Sequence, residues 1–565
     1  MQASGDSYVK KKYAPILPGS MDWPVVQLSK NRKQFIESVI HESVSVITAL
    51  HAENGSLKEE IEQTRFKEML RVKQNPWNVD PDDDPAFWSG IKARLLKISA
   101  GNNEKKHEDE IKNILHEIVS RYAHEIQGNF KRSRYKLART LVKFGFKRLL
   151  NASKVKGWRS VWSRRVTLQD KIQITGEVEQ LRNLAKKGTV IMVPTHFSNL
   201  DSILIGWVIH ILGLPPFIYG AGLNLFNIGI LAYFMNSLGA YKVDRRKKNQ
   251  IYRETLKTYS KLATVKGCHG LFFPGGTRSR SGKIESKLKL GLLGSAMEAQ
   301  RHSLQHNSDE ENHKVFVVPV VINYHFVVEA PGLINDYLQS KGQERYYVEN
   351  DSFTNSYKIL IFLFKFITKG SDISVSIGRG LDLLGNYVDE AGNSIDKKGR
   401  RINIRDYFIS NGEITEDLQR EKEYTRRLGE VIVKEFRRNN RVFSSHLVAF
   451  TAFNILKKRH SHLDLYDLLR IPKEESIISY EEFRKSFELA LQQIHLLNQE
   501  QKVTIAPHLR DTPDKIIDHG LYNVGMYHSK RPLVKNKEGN LITHDLNTLF
   551  YYHNRLCGYG LENIV

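Results

Sequence analysis

Short runs of β-branched and apolar residues alternate with helical stretches between about residues 155 and 400. Residues 188–194 are the clearest such run, because β-branched and apolar residues stand between Gly188 and Pro194. Runs of this kind are typical of strands buried on both faces of a sheet. The alternation predicts an α/β domain over residues 155–400. The expected strands are residues 172–174, 188–194, 268–273, 315–323 and 373–377, with another short strand in 239–246.

Helical patterns flank this domain on both sides. We therefore expect a helical N-terminal region (1–154), the α/β domain (155–400) with a mixed sheet, and a mostly helical C-terminal region (401–565). A turn-rich insert at 385–399 and a hairpin turn at 535–540 interrupt the helical pattern. In the N-terminal region, the aspartates of residues 80–84 lack the glycine and glutamate spacing of an EF-hand. They are expected to form a loop and a helix cap.

The amino-acid composition limits the structural classes to which this chain can belong. The chain has 565 residues, a hydrophobic fraction of 41% and only two cysteines, Cys268 and Cys557. Cores can therefore form, whereas a disulfide scaffold cannot. The lysines near the N-terminus precede no apolar stretch of signal-peptide length, so we expect an intracellular protein.

Two apolar stretches bear on membrane contact. Residues 202–221 have the length of a spanning helix but are broken by Pro215 and Pro216, and residues 359–367 are short and interrupted by Lys365. Both are interpreted as buried structure or as a patch that dips into one leaflet beside basic residues. An integral membrane protein is not expected, and a membrane-surface protein remains open.

Positive charge is concentrated in one segment. The chain has a formal net charge of +23, and residues 242–289 contain 14 Lys and Arg against three acidic residues. Such a segment attracts phosphates on nucleic acid, lipid headgroups or a small substrate, or it is a solvated basic face. No helix-turn-helix, RRM, KH or zinc-finger pattern accompanies it, so a nucleic-acid partner is not expected.

A histidine follows the best-defined strand. His196 comes directly after residues 188–194, at the carboxyl end of the strand, where active sites of open α/β sheets lie. Asp201 can reach back to its ring and stabilise the imidazolium. Because no G-x-S-x-G motif is present, direct attack by a substrate hydroxyl is favoured over an acyl-enzyme. The alternative is that His196 caps the strand and Asp201 caps the following helix.

A glycine-rich, basic turn follows another expected strand. Glycines let backbone amides approach an anion, and arginine offers paired donors to phosphate. The P-loop spacing is absent. Arg245 and Arg246 end a third short strand and are further candidates for the phosphate. In the turn, the candidate binding residues are Gly275, Gly276, Thr277, Arg278, Ser279, Arg280 and Lys283.

Together these motifs resemble the glycerol-3-phosphate/lysophosphatidate acyltransferase superfamily. In order, that family carries H-x-x-x-x-D, G-x-[IF]-x-[IV]-x-R, F-[PL]-E-G-T-R-S-R and V-P-[VI] motifs. This chain offers residues 196–201, 239–246, 273–280 and 318–320. The continuation of the loop to Lys283 and the helical flanks are closest to the large glycerol-3-phosphate acyltransferase branch.

The resemblance implies an activity and its partners. A fatty acyl group would move from acyl-CoA or acyl-acyl carrier protein to glycerol 3-phosphate in phospholipid biosynthesis, with His196 as base and Asp201 orienting it. No metal or redox cofactor is required. The protein would act peripherally on the cytoplasmic side of an anionic membrane. The alternatives are a lysophosphatidate acyltransferase and a non-catalytic lipid-binding homologue.

One residue departs from the family pattern. The glutamate of the third motif is Gly275 here. The resemblance assigns that acid a role in holding the acceptor or ordering the loop. We hypothesise that another nearby acid, Glu285, takes its place.

Overall fold

The computed structural model describes residues 12–54, 56–100, 104–137, 139–140, 172–223, 239–306, 314–342 and 372–564. The fold predicted from the sequence is confirmed, because a central mixed sheet lies between helical N-terminal and C-terminal regions. The expected apolar stretch at 359–367 lies outside the described residues. Within them, no helix combines the length and the apolar character needed to cross a membrane.

The N-terminal region packs on one edge of the sheet. Its helices are α1 (Pro24–Lys30), α2 (Arg32–Asn54), α3 (Leu57–Gln74), α4 (Asp84–Ala100) and α5 (Glu104–Ile126). They share one hydrophobic core with Ile218 and Tyr241 of the sheet and with Ile251 and Tyr259 of a central helix. The region is therefore continuous with the α/β domain through buried apolar contacts.

Among the described residues, seven strands form the central sheet: β1 (Ile172–Gly176), β2 (Gly188–Pro194), β3 (Ile218–Gly222), β4 (Ala240–Val243), β5 (Gly270–Leu271), β6 (Lys314–Tyr324) and β7 (Ile373–Ile377). Their order across the sheet is β1-β7-β6-β2-β5-β3-β4. The five strands from β6 to β4 are parallel, whereas β7 runs antiparallel to β6. The parallel pairing of β2 with β6 from Gly188↔Lys314 to Pro194↔Val320 brings their carboxyl ends to the same edge.

Helices cover both faces of the sheet. They are α6 (Val178–Lys187), α7 (Asp201–Ile211), α8 (Gln250–Val265), α9 (Gly291–His306) and α10 (Ala330–Gly342). Successive β2 residues alternate between two cores, because Met192 packs with α7 on one face and Val193 packs with α9 on the other. Burial on both faces explains why the strand reads as an unbroken apolar run.

The apolar stretch at 202–221 is ordinary buried structure. It forms α7, whose Ile205 and Val208 are fully buried, and β3, with Pro215 and Pro216 in the connection. The sequence therefore missed β3. In the opposite direction, the strand expected at 268–273 is reduced to the two residues of β5.

The turn-rich insert contains the short strands β8 (Tyr387–Val388) and β9 (Ser394–Ile395). The C-terminal region begins after it with β10 (Arg401–Ile402), β11 (Ile409–Ser410) and β12 (Glu413–Ile414). Its helices are α11 (Leu418–Arg438), α12 (Ser444–Arg459), α13 (Leu465–Leu468), α14 (Tyr480–Gln499), α15 (Pro513–Asn523) and α16 (Leu546–His553). Helix α12 is buried from Ser444 to Leu456, and α14, α15 and α16 pack around it. Strands β13 (Arg441–Val442) and β14 (Thr504–Ile505) pair beside it, and β15 (Val534–Lys535) with β16 (Leu541–Ile542) forms the expected hairpin.

Buried histidines make the stability of this fold sensitive to acid. Burial lowers the pKa of His269 and His528 to about 4 and that of His446, His508 and His553 to about 3. In the unfolded chain a histidine has a pKa of about 6.5, so below that pH the unfolded state binds more protons than the folded state. The free energy of unfolding should therefore fall as the pH drops, by up to about 1.4 kcal/mol per pH unit for each such histidine.

Thermal unfolding followed by circular dichroism at about pH 7.5 and about pH 5.5 checks this prediction. We expect a midpoint several degrees lower at the acid pH. Buried glutamates with raised pKa values, such as Glu285, act in the opposite direction. An equal or higher midpoint at the acid pH would show that the carboxylates outweigh the histidines.

Candidate active site

The site lies where the carboxyl ends of β2 and β6 meet. His196 and Asp201 lie in and after the turn that leads from β2 into α7, and the His196 Nδ1 is 2.8 Å from the Asp201 Oδ2. Asp201 is fully buried, and its Oδ2 also accepts hydrogen bonds from the backbone N–H groups of Phe197 (2.6 Å) and Ser198 (2.9 Å). The carboxylate thus holds the turn before α7 and contacts the histidine, but it does not cap α7, whose N-cap residue is Leu200 without a side-chain cap.

The His196 ring is oriented from two sides. It stacks on Phe273, with ring centroids 4.1 Å apart and an interplanar angle of 22°. Because an ionised carboxylate only accepts hydrogen bonds, the His196 Nδ1 carries a hydrogen and donates the hydrogen bond to Asp201. The Nε2 atom is then the one that can exchange a proton with a substrate. The side chain is 13% exposed, so solvent and substrate reach it only narrowly.

The glycine-rich turn lies directly against His196. The backbone N–H of Ser279 donates to the His196 carbonyl over 2.8 Å, and Lys289 N–H donates to the Pro274 carbonyl over 2.7 Å. Gly276 has a φ of 78°, a left-handed conformation that favours glycine. The turn therefore holds its polar residues beside the imidazole.

Glu285 occupies the space beside Gly275. A Cβ atom at position 275 would lie 2.9 Å from the Glu285 Cγ. The Glu285 Oε1 accepts a hydrogen bond from the backbone N–H of His196 over 2.9 Å. Burial raises the pKa of Glu285 to about 7, while that hydrogen bond and the charge of Arg555 act to lower it. Glu285 thus places a carboxylate next to the position that is glutamate in the related motif.

A cationic cleft opens in front of the turn. Its volume is about 620 Å³. The Arg278 guanidinium lies 3.7 Å from Glu329, which accepts hydrogen bonds from the Ser198 hydroxyl (3.0 Å) and the Asn199 N–H (2.9 Å). Arg278 is thereby linked to the turn that carries His196. The expected residues that line the cleft are Gly275, Thr277, Arg278, Ser279, Arg280 and Lys283.

The two arginines of the second motif, Arg245 and Arg246, are placed differently. Arg246 forms ion pairs with Asp80 and with Asp244 (2.7 Å), and its guanidinium lies 3.8 Å from the centre of the Trp77 ring. Neither Arg245 nor Arg246 is among the described residues that line the cleft. Arg246 therefore fastens the N-terminal region to the α/β domain, with Asp80 of the acidic loop as its partner.

Comparisons with known proteins agree with this geometry. The family model described as "Acyltransferase" matches residues 176–323, which include β2, the His196–Asp201 turn, the glycine-rich turn and β6. These residues are therefore similar to the acyltransferase family.

Similar proteins carry a more specific name. A glycerol-3-phosphate acyltransferase of Aeromonas hydrophila is 30% identical over 236 residues, which are 41% of this chain and 26% of that protein. Proteins of the same name from Alteromonas mediterranea and Pseudoalteromonas translucida are 31% and 32% identical over 168 and 163 residues, or 29% and 28% of this chain and 19% and 18% of theirs. The aligned part thus spans about a quarter or less of the length of these relatives.

Residues outside the recognised motifs complete the candidate site. Tyr324, at the end of β6, donates to the Asp201 Oδ1 over 2.5 Å. Arg555, in the C-terminal region, is buried with its guanidinium 3.9 Å from the centre of the Phe197 ring, and it donates to the Ile322 carbonyl over 2.9 Å. Sequence analysis missed these residues, as well as Glu329. The pairing of β6 with β2 gives a signal for Tyr324, but no local spacing points to Arg555.

The contact between Gly275 and Glu285 predicts a coupled effect on stability. Gly275→Ala should lower the free energy of unfolding by about 1–3 kcal/mol, because the added methyl group overpacks against Glu285. In a Glu285→Ala background the same substitution should cost less, since the opposing side chain is gone. Urea unfolding of the single and double variants measures the difference.

Gly291→Ala is the matched control for this pair, because a Cβ there meets nothing within 4 Å. It should leave stability nearly unchanged. Equal costs of Gly275→Ala in the presence and absence of the Glu285 side chain would contradict the packing of these two positions.

Proposed function

We propose that the protein transfers a fatty acyl group from a thioester to a hydroxyl group of glycerol 3-phosphate. The observation that supports this most directly is that the His196–Asp201 pair lies against Ser279 and Glu285, which line a cleft rich in cations. A base beside a phosphate-binding surface suits an acceptor that carries both a hydroxyl and a phosphate. The names of the similar proteins favour glycerol 3-phosphate over lysophosphatidate.

His196 would act as the general base. Its Nε2 takes the proton of the acceptor hydroxyl while the hydroxyl oxygen attacks the thioester carbonyl carbon. The carbon–sulfur bond then breaks, and the leaving thiolate takes the proton back from the imidazolium. Asp201 stabilises the imidazolium through Nδ1. The products are the acylated acceptor and the free thiol, with no covalent acyl-enzyme.

The turn would bind the phosphate of the acceptor. Arg278 and Arg280 offer planar, charge-assisted donors, and Thr277 and Ser279 add hydroxyl groups in the same wall of the cleft. Backbone amides of residues 275–277 are candidate donors to the phosphate or to the developing oxyanion. Holding the phosphate fixes the hydroxyl near the acyl carbon, which converts two binding events into one oriented reaction.

The positive charge of the protein bears on its acyl donor and on the membrane surface where it would act. The acyl donor would be acyl-CoA or acyl-acyl carrier protein, both anionic, and the product would enter phospholipid biosynthesis. The excess of positive charge suits work at an anionic membrane surface on its cytoplasmic side, without insertion.

Removal of the base gives the first test of this function. His196→Ala should lower kcat by at least about 100-fold while leaving the fold intact, because general-base catalysis is lost. The measurement is thiol release from palmitoyl-CoA or palmitoyl-carrier protein in the presence of glycerol 3-phosphate or lysophosphatidate. His306→Ala, an exposed histidine on α9, is the matched control. Acceptor-dependent release that persists in His196→Ala would contradict the assignment.

Removal of a phosphate ligand gives the second test. Arg278→Ala should raise the KM for glycerol 3-phosphate by about 10- to 100-fold, because a charge-assisted contact is lost. The KM for the acyl donor should change much less. Arg400→Ala, at an exposed arginine directly after the insert, controls for loss of positive charge. Equal increases for acceptor and donor would argue against a phosphate clamp specific to the acceptor.

A further inference from the structure

The cationic cleft is built from two distant parts of the chain. One wall is the glycine-rich turn, and the other comes from the C-terminal region through Arg437, Cys557 and Gly558. The described lining contains five Lys and Arg side chains and one carboxylate, that of Glu285. The cleft therefore carries a large excess of positive charge in a concave surface, where the field is focused.

The cations of the cleft differ in how they are compensated. Arg278 lies beside Glu329 on the side of His196. Among the described residues, by contrast, no carboxylate forms an ion pair with Lys283, Lys287 or Arg437. The neighbouring Arg438 shows the opposite arrangement, since it lies 3.7 Å from Glu435 and donates to Gln501 over 3.1 Å. These three cations, which we call the outer cation group, all line the cleft.

The outer cation group is held in place from the C-terminal side. A Cβ at Gly558 would lie 3.7 Å from the Arg437 Nη2, and the Tyr559 hydroxyl donates to the Arg437 carbonyl over 2.9 Å. Asn554 donates to the Ser281 carbonyl over 2.9 Å, which ties the turn that carries Lys283 to the same segment. The positive charge of Lys283 also reaches Cys557, where it acts against the burial that raises the pKa of that thiol to about 11.

Acyl transfer from a phosphate-bearing thioester brings two anions to one histidine. The acceptor phosphate is accounted for by Arg278 and Arg280, the cations assigned to it above. A second set of cations in the same cleft, supplied by other parts of the chain, is what a second anionic substrate would require.

We propose that the outer cation group, Lys283, Lys287 and Arg437, binds the phosphate groups of the acyl donor. This inference rests on the proposed function and adds the residues that would hold the phosphate on the thiol portion of the donor. Two sources share that chemistry: the nucleotide phosphates of coenzyme A and the single phosphate of the phosphopantetheine arm. The C-terminal region would then supply part of the donor site.

The test compares three thioester donors that carry progressively fewer phosphate groups. Thiol release is measured with palmitoyl-CoA, palmitoyl-4′-phosphopantetheine and palmitoyl-pantetheine, which has no phosphate, for wild type, Lys287→Ala and Arg437→Ala. Each variant should raise the KM for palmitoyl-CoA about 10-fold and leave the KM values for palmitoyl-pantetheine and glycerol 3-phosphate unchanged. Arg438→Ala, which removes an adjacent but compensated charge, should have no effect on the donor KM values.

The pattern across donors identifies the source of the phosphate. An increase confined to palmitoyl-CoA supports binding of the nucleotide phosphates, and an equal increase for palmitoyl-4′-phosphopantetheine supports binding of the pantetheine phosphate. An increase for palmitoyl-pantetheine as well, a matching increase for glycerol 3-phosphate, or no increase at all would overturn the proposal.

Direct binding separates this inference from the proposed function. Calorimetry with coenzyme A alone should show binding that is weakened about 10-fold in Arg437→Ala. Such weakening in a protein without acyl transfer to any acceptor would refute the proposed function and keep the donor site. Unchanged binding, together with reduced sedimentation of the variant with vesicles containing phosphatidylserine, would overturn the donor site and assign the cations to a membrane.

Discussion

The buried carboxylate of Asp201 is the group on which the candidate site depends. Its Oδ2 contacts the His196 Nδ1 and accepts from the backbone of Phe197 and Ser198, and its Oδ1 accepts from Tyr324. A carboxylate without exposure to water is stable only when donors compensate for its lost hydration. These donors come from the turn after β2 and from the end of β6, so the site exists because those two strands are neighbours in parallel register. The pairing of β2 with β6 therefore also determines how the His196 ring is oriented.

Elements remote in sequence hold the glycine-rich turn against this centre. Glu285 reaches the backbone of His196 from the far side of the turn. At Gly282 the turn packs so closely on α16 that a Cβ would lie 2.2 Å from the Tyr551 carbonyl oxygen, which only glycine tolerates. Arg555 reaches Phe197 from the segment just after α16. The C-terminal region is thus part of the wall of the site, and changes in its packing act on the turn and on the histidine directly.

The features that local sequence determines were predictable, and those that need a distant partner were not. Strands such as β2 and β6 are buried on both faces, so their apolar runs stand out, and the six-residue span from His196 to Asp201 fits a turn between strand and helix. Strand β3 was missed because no polar residue separates its apolar residues from those of α7. The partner of Arg246 is Asp80, more than 160 residues away, and the contact of Arg555 with Phe197 spans an even longer separation. Such pairings depend on which distant segments pack on β4 and near α16, and no local spacing of residues reveals those segments.

The same limit explains why the basic segment could not be interpreted from its composition. Part of its positive charge is compensated by acidic residues of the N-terminal region. Arg246, Lys247 and Lys261 pair with Asp80, Glu125 and Glu42, respectively. Another part, at Lys283 and Lys287, faces the cleft without such partners among the described residues. The acidic residues that pair with these three cations lie outside residues 242–289. Counting charges within those residues alone therefore overstates the positive electrostatic field around the first half of the segment. The uncompensated charge that remains is concentrated where two anionic substrates would have to meet beside one imidazole, and there it both attracts them and screens their mutual repulsion.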